Sequence, residues 1–172
     1  MKKAILITVA LCMALSLNAG TFDGFTSTGL NYEYRDGIHL GGMTVSNSGY
    51  VNDCPVGYYI SANADFNPRK ISDMTITLIA APSYRYMLDN VPMSIDTALG
   101  LSVSGVWTDG KNDFQLGLGG YIGAAYYMND RIALLIGCNL GYDMLSVNLA
   151  TGAAGFSGEF YASPALSIGF RY

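Results

Sequence analysis

The sequence is poor in charge. Only 13% of its 172 residues are Asp, Glu, Lys or Arg, while 51% are hydrophobic. A soluble domain usually carries about 25% charged residues, and one this short of them could not cover its outside. The formal net charge is −4, so no basic patch suggests nucleic acid. There is one histidine, His39, and three cysteines, without metal-type spacing. Asp109-Gly110-Lys111 reads as a turn, and Gly117, Gly119 and Gly120 are not followed by a helix, so no phosphate loop is present. No metal, nucleophile or cofactor site is found.

The N-terminus reads as a targeting signal. Lys2 and Lys3 precede the apolar run Ala4 to Leu15, too short to span a bilayer as a helix. Leu17-Asn18-Ala19 resembles a cleavage site, so residues 1–19 are expected to be removed and the mature chain to begin at Gly20. A lipoprotein reading at Cys12 is weaker. Leu11 is the wrong size beside that cysteine, and the hydrophobic run continues past it. Of the remaining cysteines, Cys138 falls on an apolar strand face and Cys54 in a polar connection, which argues against a disulfide. No later stretch approaches the roughly 20 apolar residues of a membrane helix. An exported chain this hydrophobic, without such a helix, points to a closed barrel in the outer membrane.

What the sequence has is alternation. From the end backwards, Tyr172, Phe170, Ile168, Leu166, Pro164, Ala162 and Phe160 are apolar. The intervening residues, Arg171 to Glu159, are small or polar apart from Tyr161. A period of two marks a strand with one apolar face. Further back, Tyr86 to Met93 aligns with Tyr127 to Leu134, a repeat whose offset is two strands and two connections. The pattern predicts strands Phe25–Arg35, Ile38–Asn47, Val56–Phe66, Met74–Met87, Pro92–Trp107, Asp113–Met128, Ile132–Ser146 and Gly158–Tyr172. Ile38–Asn47 pairs through a tight Asp36-Gly37 turn and makes the count even. The fold class is all-β: an antiparallel up-and-down transmembrane barrel of about eight strands, in one domain over residues 20–172.

Aromatic residues lie at both ends of the apolar face. Tyr58, Tyr84, Tyr86, Tyr126, Phe170 and Tyr172 mark one end. Tyr32, Tyr34, Phe66, Trp107, Phe114, Tyr142 and Phe160 mark the other. Twelve steps from Phe114 to Tyr126, at ~3.3 Å each and tilted by roughly 40°, project to about 30 Å, close to the ~25 Å band of outer-membrane barrels. The opposite face carries Gly, Ala, Ser and Asn, with sparse charges at Glu33, Arg35, Asp65, Arg85, Asp96, Asp143, Glu159 and Arg171. It is too poor in charge for a solvent surface and suits a barrel interior. A buried charge needs a partner. Arg85 and Asp96, one diagonal step apart across the Leu88–Val91 turn, are expected to pair. So are Arg35 and Glu159, where the last strand closes on the first.

Leu166, Ile168, Gly169, Phe170 and Tyr172 resemble the closing strand of a small bacterial outer-membrane β-barrel of the OmpA-transmembrane, OmpX and OmpW group. The resemblance implies that this strand is read by the barrel-assembly machinery and that the protein sits in outer-membrane lipid. It implies a structural or surface role with a side-chain-filled interior. A narrow channel or hydrophobic-solute conduit, as in OmpW-like barrels, is the alternative. A third reading is a lipid-modifying rim enzyme using His39 with Ser46 or Ser48. The sequence lacks that family's close His-x-Ser-Asn spacing, so His39 reads as an incidental loop residue and no enzyme activity is expected.

Overall fold

The structure, a computed structural model, describes residues 22–51, 54–108 and 111–172. The signal segment, the start at Gly20 and the Asp109-Gly110 turn lie outside the described residues. Eight antiparallel strands, each paired with its neighbours in sequence, close into a barrel when β8 pairs with β1. They are β1 (Phe22–Arg35), β2 (Ile38–Val51), β3 (Val56–Asn67), β4 (Lys70–Met87), β5 (Met93–Trp107), β6 (Asp113–Tyr127), β7 (Ile132–Asn148) and β8 (Ala154–Arg171).

The sequence pattern locates every strand, β2 included. Strands β4 and β8 begin four residues earlier than expected. The segment before Met74 is joined through a register shift at Phe66/Asn67. The small residues before Gly158 carry no alternation, and their hairpin is held by Asn148, whose Oδ1 accepts the N–H groups of Ala150 and Thr151 at 3.1 and 3.0 Å. The β1–β2 turn places Asp36 at φ 45° and Gly37 at φ 82°, the left-handed pair that matches strand twist in a two-residue hairpin.

The stagger follows from the register. Partners of Ile136 run through Leu166, Leu30, Met43, Ala64, Ile76, Gly105 and Phe114 and return to β7 at Val147. That is eleven positions higher (147 − 136), one of them the unpaired Met144 at the bulge. Such a stagger over eight strands tilts them by about 40° and sets a backbone radius of about 8 Å. An interior that narrow has room for side chains and little else.

The alternation resolves into an inside and an outside. Leu30 and Leu99 are each 69% exposed, Ile136 64% and Leu101 61%, whereas Glu33, Asp65, Gln115 and Asp143 are fully buried. Tyr34, Phe66, Phe114, Tyr142 and Phe160 stand exposed toward one end of this outer surface. Tyr84, Tyr86, Tyr126 and Phe170 stand toward the other.

Candidate functional site: the barrel interior

Arg35 organises the half of the interior nearest the Asp36-Gly37 turn. Its Nε donates to Glu33 at 2.9 Å and Nη1 to Gln115 at 3.0 Å and to Asp143. Its Nη2 donates to Thr77 at 3.0 Å and Ser104 at 3.2 Å. The guanidinium also stacks on Tyr161, 4.4 Å from the ring centroid. Charge-assisted bonds of this kind are the strong ones, and here every N–H direction has an acceptor. Thr75 adds a bond to Glu33 at 2.9 Å.

The expected Arg35–Glu159 pair is not formed. Closure places Tyr161, not Glu159, opposite Arg35. The guanidinium folds onto that ring and reaches Glu33 and Asp143. Glu159 is taken by Lys111 at 2.8 Å and Gln115 at 3.0 Å. Lys111 also reaches Asp36 at 3.4 Å, so the β5–β6 connection is tied across the mouth to the β1–β2 turn. Lys111 is half-exposed, and its pKa is raised, chiefly by the hydrogen bond to Glu159.

Near the opposite end the structure brings Arg85 and Asp96 together. They are direct register partners rather than diagonal ones, joined at 2.9 and 3.2 Å. Arg85 is sandwiched by Tyr50 at 3.8 Å and Phe25 at 4.9 Å. Arg171 lies at the rim rather than inside. It pairs with Asp23 through bonds of 2.7 and 2.8 Å, both residues being half-exposed.

Between these clusters lie Tyr59 and Tyr121, stacked with centroids 4.5 Å apart. Inward glycines form the sockets of Tyr121 and of Tyr161. A Cβ on Gly123 or Gly137 would lie 2.1 and 2.5 Å from Tyr121, and one on Gly141 would lie 2.2 Å from Tyr161. The space at Gly123, Gly137 and Gly141 is therefore filled by rings. A small space of about 20 Å³ is lined in part by Ser27, Ser46, Tyr59, Tyr121 and Asn139, enough for a single water.

Of the charges read as inward, Glu33, Arg35, Asp65, Arg85, Asp96 and Asp143 are buried, whereas Lys111 and Asp23 were missed as partners, because one lies in a connection and the other before the alternation becomes clear. His39 lies in β2, not in a loop. It is exposed on the outer face, with Nδ1 against the Tyr32 hydroxyl and the Tyr34 ring 5.3 Å away. Ser46 and Ser48 point inward, and Ser46 bonds Ser27 at 2.7 Å, so neither serine can partner the histidine. Cys54 and Cys138 are free thiols. Among the described residues no group of three His, Cys, Asp or Glu could hold a metal ion. Leu166, Ile168 and Phe170 face outward, each at least half exposed, while Gly169 packs inward on Leu135 and Phe25.

No protein-family model and no curated protein sequence matches the chain. Solved structures do. Neisserial surface protein A aligns at 14% identity over 88% of this chain and 97% of that one, with a TM-score of 0.60. The attachment invasion locus protein of Yersinia pestis aligns at 13% identity over 88% and 99%, with a TM-score of 0.56. Outer membrane protein OprG from Pseudomonas aeruginosa aligns at 12% identity over 88% and 96%, with a TM-score of 0.51. With an apolar outside, a polar inside and a closed ring of eight strands, the chain has the fold of the small outer-membrane β-barrels.

Proposed function

We propose that the protein is an outer-membrane barrel with a structural or surface role, its interior closed to solutes. One observation carries this reading: leucines and isoleucines stand outside while the guanidiniums of Arg35 and Arg85 and the carboxylates of Glu33, Asp65, Asp96 and Asp143 are buried within. Only a solvent of hydrocarbon makes that inversion favourable. Outer-membrane lipid is the first partner. The assembly machinery, meeting the outward face of β8, is the second. The end where β1 begins and β8 ends faces the periplasm.

The filled interior counts against the conduit reading. The connections at the far end, residues 36–37, 68–69, 108–112 and 149–153, are short and offer little projecting surface for a large ligand. The mature chain refolded into lipid should migrate faster before boiling than after, and in planar bilayers it should stay silent. Steady single-channel steps would replace the closed reading with the conduit. A chain that never acquires the heat-sensitive form would remove the membrane reading itself.

A further inference from the structure

Asn47 is an anomaly on the outer face. By the alternation of β2 it shares a side with Met43, Val45 and Val51, yet it is only 1% exposed. Three hydroxyls surround its amide. The Tyr58 hydroxyl donates to Oδ1 at 2.7 Å, the Tyr172 hydroxyl lies 3.2 Å from the same oxygen, and Nδ2 donates to Thr26 Oγ1 at 2.9 Å. The Tyr172 hydroxyl also reaches the Ser48 carbonyl at 3.1 Å and the Tyr58 hydroxyl at 3.2 Å. The Tyr172 N–H donates to the Gly24 carbonyl at 3.2 Å. This chain of bonds begins just past β8, passes over β1 and β2, and ends on β3.

The ground beneath it is prepared. A Cβ on Gly49 would lie 2.6 Å from the Tyr58 ring, so the bare backbone there is the groove in which that ring lies. The seam it crosses also needs support. Strands β1 and β8 are the one pair not joined by a turn. Their pairing lapses at residues 32 and 33, between Asn31↔Ala165 and Tyr34↔Ala162, with the register unchanged, beside Pro164, which has no N–H to donate.

We infer that Tyr172 is a latch: its hydroxyl, received by Asn47 and the Ser48 carbonyl, fastens the last strand to β2 across β1 and holds the closing seam shut. A terminal phenylalanine would serve equally as an outward aromatic. The hydroxyl adds a bond that only the closed ring can make. An amide on a lipid-facing position is unfavourable unless its polar atoms are satisfied, and here both are. The inference rests on the membrane reading and adds to it a device for completing the barrel.

The test uses the mature chain refolded into phosphatidylcholine vesicles, with backbone amide exchange read strand by strand. Tyr172→Phe removes one oxygen and keeps the ring. Losing that bond should speed exchange of the β1 and β8 seam amides about fivefold to tenfold, while β6–β7 amides keep their protection. Asn47→Val should do the same, and the double variant should be no worse than the poorer single one. Unchanged seam exchange in Tyr172→Phe, or an increase spread evenly over all strands, overturns the latch. Failure of the wild-type chain to take its heat-sensitive form in the vesicles would instead strike the membrane reading.

Discussion

Replacing Arg35 by methionine would ask the barrel whether its interior is dry. Methionine keeps most of the stem volume, so the cavity contribution stays small. What disappears is the countercharge of Glu33 and Asp143, both fully buried, and the donors to Gln115, Thr77 and Ser104. Breaking a buried ion pair by removing one partner typically costs about 3–5 kcal/mol. The loss should fall in that range, measured by urea titration in lipid vesicles with Trp107 fluorescence as the probe. Replacing all three charges together, Glu33→Gln, Arg35→Met and Asp143→Asn, should recover most of it, because a neutral cluster no longer leaves a charge stranded. A single-variant cost below about 1 kcal/mol would refute the reasoning. The carboxylates would then be hydrated, and a hydrated interior is the beginning of a channel.

Asp65→Asn should stabilise the barrel by about 1–2 kcal/mol in the same titration. The Asp65 carboxyl lies against that of Glu33, Glu33 Oε2 and Asp65 Oδ2 are buried without partners, and an amide would supply a donor. Leu99→Arg, near the middle of β5 and 69% exposed, should cost about 2–4 kcal/mol in vesicles, whereas a water-facing site would show almost no change. The raised pKa of Lys111 means that its tie to Glu159 and Asp36 contributes fully below the ordinary lysine value and is lost as pH climbs through the raised one. The stability difference between wild type and Lys111→Met should therefore be present at pH 7 and vanish in strongly alkaline buffer.

The wall of the barrel was legible because a period of two leaves a trace in every strand. Even β2 could be placed from the Asp36-Gly37 turn and the need for an even count. Pairing inside the barrel was harder to read. Arg85 and Asp96 face each other across a short hairpin, so their meeting follows from local register. The partners of Arg35 depend on how the ring closes and on which way a long side chain folds. Tyr161 captures the guanidinium at 4.4 Å, and nothing in the alternation announces a ring stacked under a charge. The inward glycines are hard to read for a related reason. Absence of a side chain reads as empty space in one strand, but across the barrel it is space for a neighbour's ring. His39 falls within the predicted Ile38–Asn47 strand, yet its reading as a loop residue hid its outward face, since polar residues near a turn carry little periodicity.

The tyrosines then fall into two kinds that composition cannot separate. Tyr84, Tyr86 and Tyr126 are outward and about half exposed, as rings are where an apolar wall meets water. Tyr121 and Tyr161 fill the bore over glycines, and Tyr59 stacks on Tyr121. With a radius of about 8 Å, these three rings and the guanidinium networks of Arg35 and Arg85 occupy the bore. A conducting path would require moving Tyr121 out of the Gly123–Gly137 socket and parting it from Tyr59, and also separating Arg35 from the acceptors it holds. Loss of any one of these contacts still leaves the others across the bore. On the proposed closed reading the plugs are independent, and a single substitution should weaken the barrel before it opens it.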